Sequence, residues 1–102
     1  MAKGMARANI DFAITHTNGS DTHVAPAQTK YVAGAGASVY VNGQPAIVLG
    51  DSIACGDIVV ETSTKVFIGG KGVHRLADKL SAHAGSYSPS ICAQASTNVF
   101  AG

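Results

Sequence analysis

The clearest alternation of apolar and polar residues lies between residues 39 and 51. Two valines flank Tyr40, a pattern typical of a half-buried β-strand. The pair Asn42-Gly43 follows, and both residue types accept the positive φ angles of a two-residue turn. A second apolar run then continues to Asp51. The segment therefore predicts a β-hairpin.

The first arm of this hairpin recurs twice, at 66–70 and at 99–102. Both recurrences begin with Val-Phe and share a Ser-Thr lead-in, at Ser63 and Ser96. Three copies of one small unit within 102 residues indicate an internally repeated fold. We therefore expect one all-β domain over 1–102, built from three β-hairpin units around a pseudo-threefold axis.

Residues 73–82 permit two interpretations. Their apolar positions, from Val73 to Leu80, have the spacing of one face of a helix. Their place after Gly69-Gly70, however, corresponds to the second arm of a hairpin in the repeat. We expect a short helical turn near 73–82, with the hairpin arm as the alternative.

The composition limits the classes of partner. Charged residues form 13% of the chain and the net charge is +1, so a basic nucleic-acid surface or an acidic tail is not expected. Hydrophobic residues form 46%, which fits either a surface partly covered by a partner or a compact β-domain with a polar surface. No apolar run approaches the roughly 20 residues of a membrane helix. Residues 1–7 lack the apolar core of a signal peptide.

A histidine or cysteine follows an aspartate by four or five positions in each unit. The pairs are Asp11 with His16, Asp51 with Cys55, and Asp78 with His83. If the units surround one axis, the three later side chains converge at one end. A structural zinc site takes four nitrogen or sulfur ligands. The register therefore predicts a structural zinc ion, which would also stabilise a small core.

Two residues are candidates for the fourth ligand of this predicted site. Cys92 is the first choice because it follows the third loop, which His83 enters, and His23 is the alternative because it leaves the first loop. The competing interpretation treats all these residues as unrelated surface histidines and buried thiols. A disulfide between Cys55 and Cys92 and two free thiols also remain open. His74 lies outside the register and is expected at the surface.

These features resemble the PAAR-repeat proteins, which form the sharpened tip of contractile injection machines. The family unit runs approximately Ser-x-x-Val-x-Ile-Asn-Gly-x-Pro-Ala-Ala-Arg-x-Gly-Asp, followed by a histidine or cysteine. Residues 39–51 match it, followed by Cys55, although Ile47-Val48 replaces Ala-Arg. The segments 7–16 and 96–102 resemble the family's opening and closing half-units.

The resemblance implies a small cone whose base caps a trimeric β-helical spike, one copy per trimer, with zinc near the vertex. It implies a structural tip for membrane piercing, located at a phage tail baseplate and virion tip or delivered by type VI secretion. Such a tip touches the target membrane transiently and is not an enzyme. It needs neither nucleic acid nor a small-molecule substrate. The alternative function is a free-standing small zinc-binding or adhesion module.

The sequence does not favour a zinc hydrolase. Asp57 and Glu61 follow Cys55 and would be the acid and base of such an enzyme. Hydrolysis needs an open coordination position on the metal, and four protein ligands would leave none.

Overall fold

The computed structural model describes residues 2–18, 21–34, 39–81 and 90–102. The chain folds as an all-β protein, and the described residues contain short strands and no helix. The strands are β1 (Lys3–Gly4), β2 (His16–Asn18), β3 (Asp21–His23), β4 (Tyr31–Val32), β5 (Tyr40–Val41), β6 (Gln44–Pro45), β7 (Ser52–Ile53), β8 (Ile58–Val59), β9 (Phe67–Ile68), β10 (Lys71–Gly72), β11 (Leu80–Ser81) and β12 (Phe100–Ala101).

The predicted hairpin at 39–51 is present. Strand β5 pairs antiparallel with β6, and Tyr40 lies opposite Pro45. The connecting residues Asn42 and Gly43 have φ angles of 52° and 83°, as a two-residue hairpin turn requires. Strands β9 and β10 form a second hairpin with the same register. The third copy joins the two ends of the chain, because β12 pairs with β1.

A closed cycle of backbone hydrogen bonds joins these three units. The Ala6 amide donates to the His74 carbonyl at 2.9 Å, and the His74 amide donates to the Ile47 carbonyl at 2.8 Å. The Ile47 amide completes the ring by donating to the Ala6 carbonyl at 3.0 Å. All three residues are fully buried. We call them the axial ring.

Two further sets of backbone contacts connect each unit to the next in the same cyclic manner. The amides of Ala8, Leu49 and Leu76 donate to the carbonyls of Pro45, Gly72 and Gly4, respectively. Isolated β-bridges connect Met5 with Arg75, Arg7 with Ala46, and Val48 with Val73. Each unit thus contacts the next at equivalent positions, and the third contacts the first. The described residues of the three units are related by a pseudo-threefold axis.

The aspartate of each unit closes an equivalent turn. The carboxylates of Asp11, Asp51 and Asp78 accept hydrogen bonds from the backbone amides of Arg7, Val48 and Arg75, respectively, each at 2.9 Å. In the first and third units the arginine also forms a bidentate ion pair with its aspartate. Those two aspartates are fully buried, whereas the aspartate of the second unit, with valine in place of arginine, is partly exposed. Burial of a carboxylate is costly without cationic or hydrogen-bonding partners, and the arginines supply both in these two units.

The buried apolar side chains form two separate hydrophobic clusters. Successive residues of an extended backbone face opposite ways. Met5 and Ala46 belong to one cluster, whereas the residues that follow them, Ala6 and Ile47, belong to the other. The first cluster, the hairpin core, takes its buried and partly buried members from Met5, Val41, Ala46, Val48, Val66, Ile68, Val73, Val99 and Ala101. The second, the loop-side core, includes Tyr31, Ile53, Val59, Leu80 and Cys92, with Cys55 packed against it.

The predicted helical turn near 73–82 is wrong for its described part, 73–81. Val73 and Arg75 form β-bridges, Leu80 begins β11, and Ala77 has a φ angle of 71°. Leu76, which a helical face would bury, is 42% exposed. Backbone pairing with the other two units therefore overrides the local helical spacing. The hairpin alternative holds for the start of the segment, where the Val73 amide donates to the Val66 carbonyl.

The expectation that His74 lies at the surface is also wrong. Its side chain is fully buried in the axial ring. Its Nδ1 lies 2.8 Å from the Glu61 carbonyl, and its Nε2 lies 2.6 Å from the Tyr31 hydroxyl. Because a carbonyl only accepts, Nδ1 carries the proton and the hydroxyl donates to Nε2. Burial lowers the pKa of His74 and so favours the neutral ring.

Within the described ranges, no helix has the length and apolar character needed to cross a membrane.

Candidate metal centre

Two histidines and one cysteine form a compact cluster beside the loop-side core. One potential ligand atom each from His16, His23 and Cys55 lies within 4.8 Å of the other two. His16 is buried, and the other two are partly buried. This cluster could hold a metal ion.

A hairpin brings the two histidines together. Strand β2 pairs antiparallel with β3, and His16 lies directly opposite His23. Side chains of directly opposed residues share one face of the sheet and have their Cβ atoms about 5 Å apart. The ring centroids are accordingly 5.2 Å apart. The register of this hairpin therefore places both imidazoles at one point.

A tight turn between β7 and β8 supplies the thiol. The Gly56 amide donates to the Ile53 carbonyl at 2.9 Å, and the Ile53 amide donates to the Asp57 carbonyl at 3.1 Å. These bonds hold Cys55 at the turn, with its Sγ 3.3 Å from the Nε2 of His16. Burial raises the pKa of the Cys55 thiol, although backbone hydrogen bonds partly oppose that effect.

The donor set suits a borderline-soft divalent metal. Imidazole nitrogen binds zinc at about 2.0 Å and thiolate sulfur at about 2.3 Å, which places the two atoms about 3.5 Å apart in a tetrahedron. The distance of 3.3 Å between His16 Nε2 and Cys55 Sγ is close to that value. A cavity of about 170 Å³ adjoins the cluster and is lined by His23, Ala27, Gln28, Ala54 and Cys55.

A buried carboxylate lies behind the cluster. Oδ2 of Asp57 is 3.3 Å from Nδ1 of His16, on the side of the ring away from Cys55. The same oxygen accepts a hydrogen bond from the Ser90 hydroxyl at 2.6 Å. Asp57 and Ser90 are both fully buried. The histidine ring is thus contacted by the thiol at one nitrogen and by the carboxylate at the other.

The structure brings together only part of the predicted ligand set. His16 and Cys55 lie in the cluster, and they are joined by His23, the alternative fourth ligand. Cys92, the first choice, is not a member of the cluster. The prediction for His83 falls outside the described residues. The four-ligand set as a whole stays a prediction.

The position of Cys92 in the repeat explains its separation from the cluster. The amides of Tyr31, Val59 and Cys92 donate to the carbonyls of Asp11, Asp51 and Asp78, so these three residues are equivalent. The other two are buried members of the loop-side core. Cys92 likewise occupies a core position, and burial raises the pKa of its thiol to about 11. It is therefore a protonated thiol at neutral pH.

The two free thiols should differ in reactivity. We expect iodoacetamide to modify Cys55 about ten times faster than Cys92, or more, in chelator-treated native protein at pH 8, because only Cys55 is partly exposed. Peptide mass spectrometry over a time course measures both rates. In denaturant the two rates should converge. Equal rates in the native protein would contradict the core position of Cys92.

Comparisons with protein-family models, with curated proteins and with solved structures found no match to this chain.

Proposed function

We propose that this chain is a structural tip protein that caps a trimeric β-helical spike of a contractile injection machine, one copy per trimer. The resemblance to PAAR-repeat proteins suggested this function, in a phage tail or a type VI secretion system. The closed hydrogen-bond cycle of Ala6, Ile47 and His74 is the observation that carries the proposal. A single chain with three equivalent units can contact three identical partner chains equivalently, which a protein without this symmetry cannot do.

The hairpins present one aromatic residue each at equivalent positions. Tyr40, Phe67 and Phe100 lie opposite Pro45, Gly72 and Gly4 in their hairpins. These aromatic side chains are 62%, 56% and 55% exposed, and we call them the aromatic triad. Exposed aromatic residues are typical anchors of protein interfaces. The triad gives each of the three hairpins an equivalent exposed apolar side chain, which suits a partner with threefold symmetry.

The metal in this proposal is a structural zinc ion held by His16, His23 and Cys55. The cluster adjoins the loop-side core, whereas the strands of the aromatic triad pack on the hairpin core. The strands contribute alternate residues to these two cores, so the proposed spike-binding surface and the metal centre adjoin different cores. Zinc would cross-link the β2–β3 hairpin to the turn between β7 and β8. A rigid tip of this kind transmits an axial push to a target membrane.

The aromatic triad should control spike binding. Wild-type protein is mixed with β-helical end fragments of trimeric spike proteins, drawn from several contractile phage tails and type VI systems. We expect one copy per trimer by light scattering after size exclusion with at least one fragment. Replacing Tyr40, Phe67 and Phe100 by serine should weaken that complex at least ~100-fold, because interface aromatics are frequent hot spots.

A matched control tests whether position matters more than lost apolar surface. Val24, Val32 and Val60 have similar exposure, at 49%, 48% and 52%, and lie outside the three hairpins. Their triple serine variant should bind the spike as the wild type does. Equal loss in both variants, or two or three copies per trimer, would overturn the proposed geometry. Failure to bind any fragment would favour the free-standing module.

A further inference from the structure

We propose that Asp57 is a positioning residue for the metal centre, which fixes the proton of His16 on Nδ1 and so leaves Nε2 free to bind the metal. This inference rests on the zinc site of the proposed function. It concerns a carboxylate that touches the ligand and does not itself bind the ion.

The contact geometry supports this role. Asp57 Oδ2 lies 3.3 Å from Nδ1 of His16, and the other ring nitrogen faces Cys55 Sγ at 3.3 Å. A carboxylate accepts hydrogen bonds and donates none, so it favours the proton of a neutral ring at Nδ1. Nε2 then keeps its lone pair on the side of the cluster. Carboxylate–histidine–metal arrangements of this kind fix the tautomer and the orientation of the ring.

The pseudo-threefold repeat shows that Asp57 is unusual for its position. The carbonyls of Thr29, Asp57 and Ser90 accept the amides of Ala13, Ile53 and Leu80, which makes the three acceptor residues equivalent. All three are fully buried. Two units thus have a neutral hydroxyl at this position and the second unit has a carboxylate. A hydroxyl is compatible with the fold here, and a buried carboxylate is costly unless cationic or hydrogen-bonding groups compensate it.

Ser90 holds the carboxylate in place from the third unit. Its hydroxyl donates to Asp57 Oδ2 at 2.6 Å, the same oxygen that faces His16. The Asp57 carbonyl is fixed by the Ile53 amide within the turn that carries Cys55. One turn therefore supplies both a metal-binding thiol and the carboxylate that orients the opposing imidazole. The three units meet at this point, with one residue from each.

Metal affinity gives the first test. Zinc competition titrations with a chromophoric chelator would compare the wild type with Asp57→Asn and Ser90→Ala. We expect Asp57→Asn to bind zinc with a roughly 10- to 100-fold higher dissociation constant than the wild type. Ser90→Ala should raise the dissociation constant by a smaller factor. Asp78→Asn is the matched control, because it alters a buried carboxylate that pairs with Arg75 instead. It should destabilise the fold and leave the zinc affinity of the folded protein unchanged.

The tautomer of His16 is a second test, because a purely structural role of Asp57 would not determine which ring nitrogen carries the proton. Long-range ¹H–¹⁵N spectra of metal-free wild type should show His16 protonated at Nδ1, with the signals assigned by His16→Gln. This test needs no Asp57 variant to fold. Protonation of wild-type His16 at Nε2 would overturn the inference, as would unchanged zinc affinity in a folded Asp57→Asn protein. Absence of zinc binding in the wild type, with the Nδ1 tautomer present, would instead overturn the metal assignment alone.

Discussion

Replacing Cys55 by serine is expected to empty the metal centre and to lower the melting temperature by about 15 °C or more. Cys55 is the one sulfur donor in the described cluster, and its Sγ lies 3.3 Å from a histidine ligand atom. A ligand present at a thousandfold its dissociation constant stabilises a fold by about 4 kcal/mol. For a domain of about 100 residues, that free energy corresponds to a shift of this size.

Elemental mass spectrometry and calorimetry measure the two consequences together. We expect one zinc per chain in the wild type and less than about 0.1 in Cys55→Ser, as loss of a thiolate ligand removes most of the affinity. Chelation of wild-type zinc should lower the melting temperature to that of the variant. In the chelator, wild type and variant should then unfold within a few degrees of each other.

Cys92→Ser separates the two candidates for the fourth ligand. Because Cys92 lies in the loop-side core and outside the cluster, this variant should keep its zinc and lose only modest stability. His23→Ala, in contrast, should lose zinc as Cys55→Ser does. Loss of zinc in Cys92→Ser with retention in His23→Ala would favour the predicted ligands His16, Cys55, His83 and Cys92, and it would contradict a site built on His23.

Much of the fold could be predicted because its signals are local. The Asn42-Gly43 turn and the alternation around Tyr40 specify a hairpin without information from elsewhere in the chain, and the repeats extend it. The segment from Val73 to Leu80 could not be assigned in this way. Its spacing fits a helix, but its amides and carbonyls pair with the other two units. Such long-range pairing leaves little trace in local periodicity.

The metal cluster could likewise be predicted only in part from the sequence. The aspartate register predicted His16 and Cys55, which the structure brings together. The preference for Cys92 relied on its place after the third loop and ignored strand register. A signal for His23 was present in the sequence, because a hairpin with Asn18 opposite Asp21 puts residue 23 opposite residue 16.

His74→Ala is expected to cost about 3–5 kcal/mol of unfolding free energy and to leave zinc binding to the folded protein unchanged. The substitution empties a fully buried site in the axial ring. It also removes the partners of the Tyr31 hydroxyl and the Glu61 carbonyl. Urea titrations at fixed free zinc measure the loss. A change below about 1 kcal/mol would contradict the buried position.

Two comparisons separate the contributions of His74. Tyr31→Phe keeps the ring volume and removes only the hydroxyl, so it should cost about 1–3 kcal/mol. The pH dependence isolates the charge. Burial lowers the pKa of His74 in the folded protein. Once the pH falls below the ordinary histidine pKa of about 6.5, residue 74 therefore binds more protons in the unfolded chain than in the folded one. The stability advantage of wild type over His74→Gln should therefore be complete above that pH. It should then decrease toward pH 5 by up to about 1.4 kcal/mol per pH unit. His16 and His23 are present in both proteins, so their contributions to the pH dependence cancel in this difference. An advantage that does not change with pH would mean that His74 is not buried in its neutral form.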